Sequence, residues 1–110
     1  MKQYVIDQLR ESDYERIRDF LNESAEKTAI EDLYRVELPE GLYSAVQAKH
    51  GSCRPYYFAV SLNRNQVAFE LLVRSREVIR CNCIAYASPV QRDYIIGYAD
   101  RILDLLEIKL

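Results

Sequence analysis

Histidine and cysteine are the residues of this chain with the most chemistry open to them. They fall in two short groups, His50-x-x-Cys53 and Cys81-x-Cys83. An imidazole and three thiolates are the donor set of a Cys3His zinc site, so the question is distance. The run around Cys81 reads as a strand, where alternate residues stand about 6.6 Å apart. Two sulfurs on one tetrahedral zinc lie within about 4 Å of each other. Strand register also puts Cys53 roughly 16 Å from Cys81, at ~3.3 Å per residue and ~4.8 Å per strand, unless the 50–55 loop folds back. The expectation is therefore that Cys81 and Cys83 are small core side chains facing the helices, with no metal and no other cofactor held. Three cysteines are an odd number, which argues against a closed disulfide framework.

Other catalytic sets are absent from the pattern. His50, the one histidine, stands before Gly51 and is expected to close a helix C-terminus. No serine or cysteine has an identifiable base partner, and Gly41, Gly51 and Gly97 are isolated rather than gathered in a phosphate loop. No catalytic residue is assigned. Arg74, Arg76 and Arg80 are a second feature, because guanidinium forks suit phosphate and carboxylate. With Tyr57, Asn82 and Tyr86 they define a candidate face for a partner or an anion. Their expected role is to pair with acidic groups such as Glu70 and Glu77, or with a partner's carboxylates.

These residues must be positioned by elements the chain predicts for itself. Tyr4 and Ile6 alternate with polar neighbours over about 3–9. Ser12-Asp13-Tyr14-Glu15 has the form of a capping box, and Tyr14, Ile17, Leu21 and Ala25 recur at helical spacing over about 13–26. Tyr34, Val36 and Leu38 alternate up to Pro39, and residues 40–49 read as a short helix. Three runs, 56–62, 66–74 and 78–86, are rich in aromatic and branched residues and predict an antiparallel meander. One register keeps every apolar set on a single face: Leu62 with Val67, Val60 with Phe69 and Phe58 with Leu71, then Val73 with Ile79, Leu71 with Cys81 and Phe69 with Cys83. The opposite face then carries Tyr57, Ser61, Glu70, Leu72, Arg74, Arg80, Asn82, Ile84 and Tyr86, a mixture that a purely solvated face would not show. Ser88-Pro89-Val90-Gln91 opens a last helix over about 89–107. Its Asp93, Asp100, Asp104 and Glu107 form one stripe that must face water, opposite an apolar arc of roughly 200° where about 100° is usual.

The 110 residues suit a single domain. The fold predicted is α+β, a two-layer sandwich with a mostly antiparallel sheet and helices on one face. Net charge is −2, but residues 41–92 hold 7 Lys+Arg against 2 Asp+Glu while both ends are acidic. No apolar run approaches the roughly 18 residues of a bilayer span, and the N-terminus turns polar by Asp7. No membrane association is expected, and free thiols fit the cytoplasm. The function expected is a non-catalytic protein-interaction or adaptor module that self-associates. An anion- or nucleic-acid-binding module using Arg74, Arg76 and Arg80 is the alternative, and a small enzyme without a recognisable motif is the second alternative.

Overall fold

Alternating apolar residues do build the sheet. The computed structural model describes residues 2–110. In chain order it contains β1 (Gln3–Ile6), α1 (Glu11–Ser24), β2 (Glu26–Lys27), β3 (Leu33–Glu37), α2 (Ala45–Lys49), β4 (Tyr56–Leu62), β5 (Val67–Glu70), β6 (Leu72–Ser75), β7 (Ala85–Tyr86) and α3 (Pro89–Leu105). Short 3-10 turns, Glu40–Leu42 and Gly51–Cys53, flank α2. The fold is α+β, with antiparallel strands in the order β1-β5-β4-β3-β2, and β6 and β7 branching from β4.

The 56–62 strand and its hairpin partner have the expected register, Leu62 opposite Val67 and Val60 opposite Phe69. Phe58 is not opposite Leu71, because the 66–74 run is interrupted there, between β5 and β6. Leu71 donates its N–H to the Lys2 carbonyl at 3.1 Å and accepts from the Ala87 N–H at 2.7 Å. Beyond this break β4 changes partner, and Tyr57 faces Arg74 while Tyr56 faces Ser75.

Both longer helices present their predicted stripes. Tyr14, Ile17 and Leu21 of α1, and Ile95, Ala99 and Ile102 of α3, are buried in one cluster with Ile6, Tyr34, Phe58, Val60, Val67 and Phe69 of the sheet. Burying side chains of this size contributes roughly 1.5–3 kcal/mol each. The flanks of the α3 stripe are used too: Tyr98 stands edge-on to Phe58 and Phe69, with ring centres 5.7 and 6.2 Å away. Asp93, Asp100, Asp104 and Glu107 are all exposed, as expected.

Helix ends differ from the predicted ones for local reasons. The cap of α1 is not Ser12 with Glu15; Asp13 accepts the Arg10 N–H at 3.1 Å, so the helix starts two residues earlier. Capping boxes do open α2, through Ser44 and Gln47, and α3, through Ser88 and Gln91. The last helix stops at Leu105 because Glu107 takes a positive φ of 54°. Its N–H donates to the Asp104 carbonyl while Ile108 N–H reaches back to Leu103, closing the helix without glycine.

The largest departure lies in the run 78–86, expected to be strand: residues 78–84 are not. Only Ala85–Tyr86 pairs, with Leu72 opposite Tyr86 and Val73 opposite Ala85. Ile79 is 91% exposed instead of facing the core. Cys81 and Cys83 therefore do not oppose Leu71 and Phe69. Cys83 lies in a second, smaller cluster with Leu38, Cys53, Tyr56 and Val73.

Candidate metal centre

The alternation Ile79, Cys81, Cys83 imitates an amphipathic strand, but Asn82 and Cys83 sit in a turn, closed by the Ile84 N–H donating to the Cys81 carbonyl at 3.0 Å. A turn brings neighbouring thiols to one side where a strand would hold them apart. From the other direction α2 ends at Lys49. The 3-10 turn that follows, with the Cys53 N–H on the His50 carbonyl at 3.0 Å, aims both of those side chains inward. The 50–55 loop has folded back.

The result is a cluster that the strand register excludes. The ligating atoms of His50, Cys53, Cys81 and Cys83 all lie within 4.8 Å of one another. His50 Nδ1 is 3.1 Å from Cys81 Sγ. Cys53 and Cys83 are buried, and His50 and Cys81 half-buried. All three cysteines are free thiols. For bonds of about 2.3 Å to sulfur and 2.0–2.1 Å to nitrogen, tetrahedral geometry puts ligand atoms roughly 3.5–3.8 Å apart. The cluster reaches that spacing by closing about 1 Å or less, and three sulfurs with one imidazole suit zinc.

Electrostatics differ from thiol to thiol. The Cys83 backbone N–H and side chain, with the His50 ring, hold the Cys81 thiol down at about 7. Burial, reinforced by the Cys83 and Cys81 side chains, pushes Cys53 up to about 11. Burial chiefly, and then Cys83, raises the Tyr56 hydroxyl as well.

Buried polar side chains fix the loops that carry the cluster. Ser75 Oγ donates to the Cys53 carbonyl at 2.5 Å and accepts from the Glu77 and Val78 N–H groups, each at 3.1 Å. Gln47 Nε2 donates to the Cys83 carbonyl at 3.1 Å. The Tyr56 hydroxyl donates to the Gln47 carbonyl at 3.3 Å.

The candidate face named from sequence is divided. Tyr57, Arg74, Leu72 and Tyr86 are brought to one side of the sheet by the β4–β6–β7 pairing. There Arg74 grips Glu70 with two bonds of 2.7 and 3.2 Å. Arg35 stacks over the Tyr57 ring at 5.1 Å, and the Lys2 ammonium lies 5.3 Å from the Tyr86 ring centre. Arg76 pairs with Glu26 rather than Glu77. Arg80 and Asn82 are not on this face; both belong to the turn-bearing loop and are exposed. Two of the three arginines are thus neutralised within the chain. Comparison with known protein families, characterised proteins and solved structures returned no match.

The cluster's sequence signal was the ligand spacing itself. What hid it was the branched run Val78-Ile79 and Ile84, which has strand character, outweighing the turn preference of Asn82.

Proposed function

We propose that this chain is a non-catalytic binding module with one structural zinc ion at its loop-rich end, held by His50, Cys53, Cys81 and Cys83. The observation that carries this reading is the convergence, within 4.8 Å, of four zinc-type donors from two distant segments. Four protein donors leave no coordination position for a substrate, which is the arrangement of structural rather than catalytic zinc. The ion replaces three thiol protons and draws residues 50–53 onto 81–83. The side of the sheet carrying Tyr57, Leu72, Arg74 and Tyr86 offers mixed aromatic and charged contacts to a protein partner or a second copy of the chain. Pairing of Arg74 and Arg76 within the chain weighs against polyanion binding.

Protein purified without chelator and then desalted is expected to carry about one zinc per chain by elemental analysis, and Cys83→Ser to lose most of it. A second reading comes from the His50–Cys81 separation of 3.1 Å: a thiolate–imidazole pair that reacts with electrophiles. Zinc-free wild-type protein, unable to take up the ion and alkylated fast at Cys81 with a midpoint near pH 7, would favour that pair and overturn the metal reading.

A further inference from the structure

The two Ser-initiated capping boxes of the chain, at α2 and α3, make the same choice of residue. A box needs an acceptor at its third helical position, and glutamate serves as well as glutamine. Both boxes here use glutamine, Gln47 and Gln91, and both side chains are 2% exposed. Capping alone does not explain that choice. Their remaining hydrogen bonds do.

Gln47 Oε1 accepts from the Ser44 N–H at 2.9 Å and from Gln91 Nε2 at 2.9 Å, while Gln47 Nε2 donates to the Cys83 carbonyl at 3.1 Å. Gln91 Oε1 accepts from the Ser88 N–H at 3.0 Å, and Gln91 Nε2 also donates to the Leu42 carbonyl at 2.8 Å. Of the two side chains that fill this position in a capping box, only the amide accepts on one side and donates on the other. The chain of contacts has one polarity, running from the α3 cap through the α2 cap to the backbone of a cluster cysteine. Turning either amide over breaks at least two bonds in a buried, water-poor place, where an unmade bond is costly.

Resting on the zinc reading above, we infer that Gln47 and Gln91 are positioning residues of the metal centre, and that they couple ion binding to the docking of the α3 N-terminus. Gln47 holds the Cys83 carbonyl, and thereby the direction in which Cys83 presents its sulfur. Gln91 holds Gln47. Metal centres commonly depend on such outer partners for 10–100-fold in affinity. Coupling is reciprocal, so the ion must also steady the first turn of α3.

Two variants separate this role from ordinary structural support. Gln47→Glu keeps an acceptor for the Ser44 cap and removes the donor to Cys83. Gln91→Glu keeps the Ser88 cap and removes the donor to Gln47. Zinc affinity is read by competition with a chromophoric chelator, and geometry by the visible absorption of the cobalt(II) form. Gln47→Glu is expected to weaken zinc by about tenfold or more and to shift the cobalt bands, with Gln91→Glu weakening it less. Zinc is expected to slow amide exchange over residues 88–92 in wild type and not in Gln47→Glu. A purely structural role would lower the stability of the metal-free and metal-loaded forms equally and leave affinity and spectrum unchanged; that result overturns the inference. If the carboxylate at 47 unfolds the chain, Gln91→Glu, one residue further from the cysteine, gives the same readouts. Wild-type protein that takes up neither ion sinks the metal reading and this one together, whereas loaded wild type with indifferent variants sinks this one alone.

Discussion

Among the described residues, the cluster beneath α1 and α3 contains fifteen buried side chains, and the one around Cys53 and Cys83 contains five. The first is closed by aromatic and branched groups meeting at van der Waals distance, among them Phe58, Phe69, Ile95 and Ile102. Such a core needs only the right volume on the right face, and it tolerates neighbours of similar size. The second combines Leu38, Tyr56 and Val73 with the Cys53 and Cys83 thiols, with the loops tied by Ser75, Gln47 and Gln91. The loop that follows β6 also leans on directional contacts, the Ser75 Oγ accepting from the Glu77 and Val78 N–H groups. The contrast is between a region held by area and a region held by a few directional contacts, and it can be broken in three ways.

On the zinc reading proposed above, the largest effect expected follows from stripping the ion. Structural zinc contributes on the order of 10 kcal/mol in small zinc-binding peptides at neutral pH. A strong chelator is expected to abolish amide protection over 50–55 and 76–86 while leaving β4, β5 and α3 protected. Uniform loss across the chain would show that the two regions are not separable.

Next in size is Phe58→Ala, in the helix-covered region, where the side chain is fully buried. The expected cost is about 3–5 kcal/mol by urea unfolding, with zinc content unchanged at one per chain. A variant that also loses its zinc would tie the clusters together more tightly than their separate linings suggest.

The smallest effect concerns acid. Burial pushes the Asp13 carboxyl up, but hydrogen bonds from the Arg10 guanidinium and N–H outweigh this and hold it below the ordinary carboxylate range. A depressed carboxyl stabilises the fold above its unfolded value, and that stability is lost as pH falls through the folded one. Asp13→Ala is expected to cost about 1 kcal/mol at neutral pH and to flatten stability over that acid range in metal-free protein. An unchanged acid profile would remove Asp13 from the account.

The same contrast explains which parts were legible from sequence. The α+β class, the β4–β5 register, the stripes of α1 and α3, and the Ser88–Gln91 cap follow from periodicity and local hydrogen bonding. Residues 78–86 do not. Val78, Ile79, Ile84 and Tyr86 have strand preferences, and the Cys81–Cys83 alternation completes the imitation, so local preference points away from the turn that is formed. The donor spacing was visible in sequence, but the distance argument against it assumed a strand at Cys81 and an extended 50–55 segment. The Leu71 break was equally hidden, since its cause is the Lys2 and Ala87 backbone arriving from remote positions. Pairing of the three arginines with acidic groups such as Glu70 was expected, and Arg74 makes that pair from four residues away; the Arg76–Glu26 pair spans fifty residues and was not.

The four cluster residues come from either side of the β4–β5 hairpin, so Cys53 and Cys81 bracket a loop of chain that contains three strands. Closing such a loop carries an entropic cost that grows only logarithmically with its length, about 0.6 kcal/mol for each doubling. The tight turn at Asn63–Gln66, closed by the Asn63 N–H on the Gln66 carbonyl at 2.9 Å, is exposed at its tip and lies inside that ring. Added residues there lengthen the ring without crossing either cluster, at the cost of the Leu9 N–H bond to the Asn65 carbonyl and the Arg64–Glu11 pair.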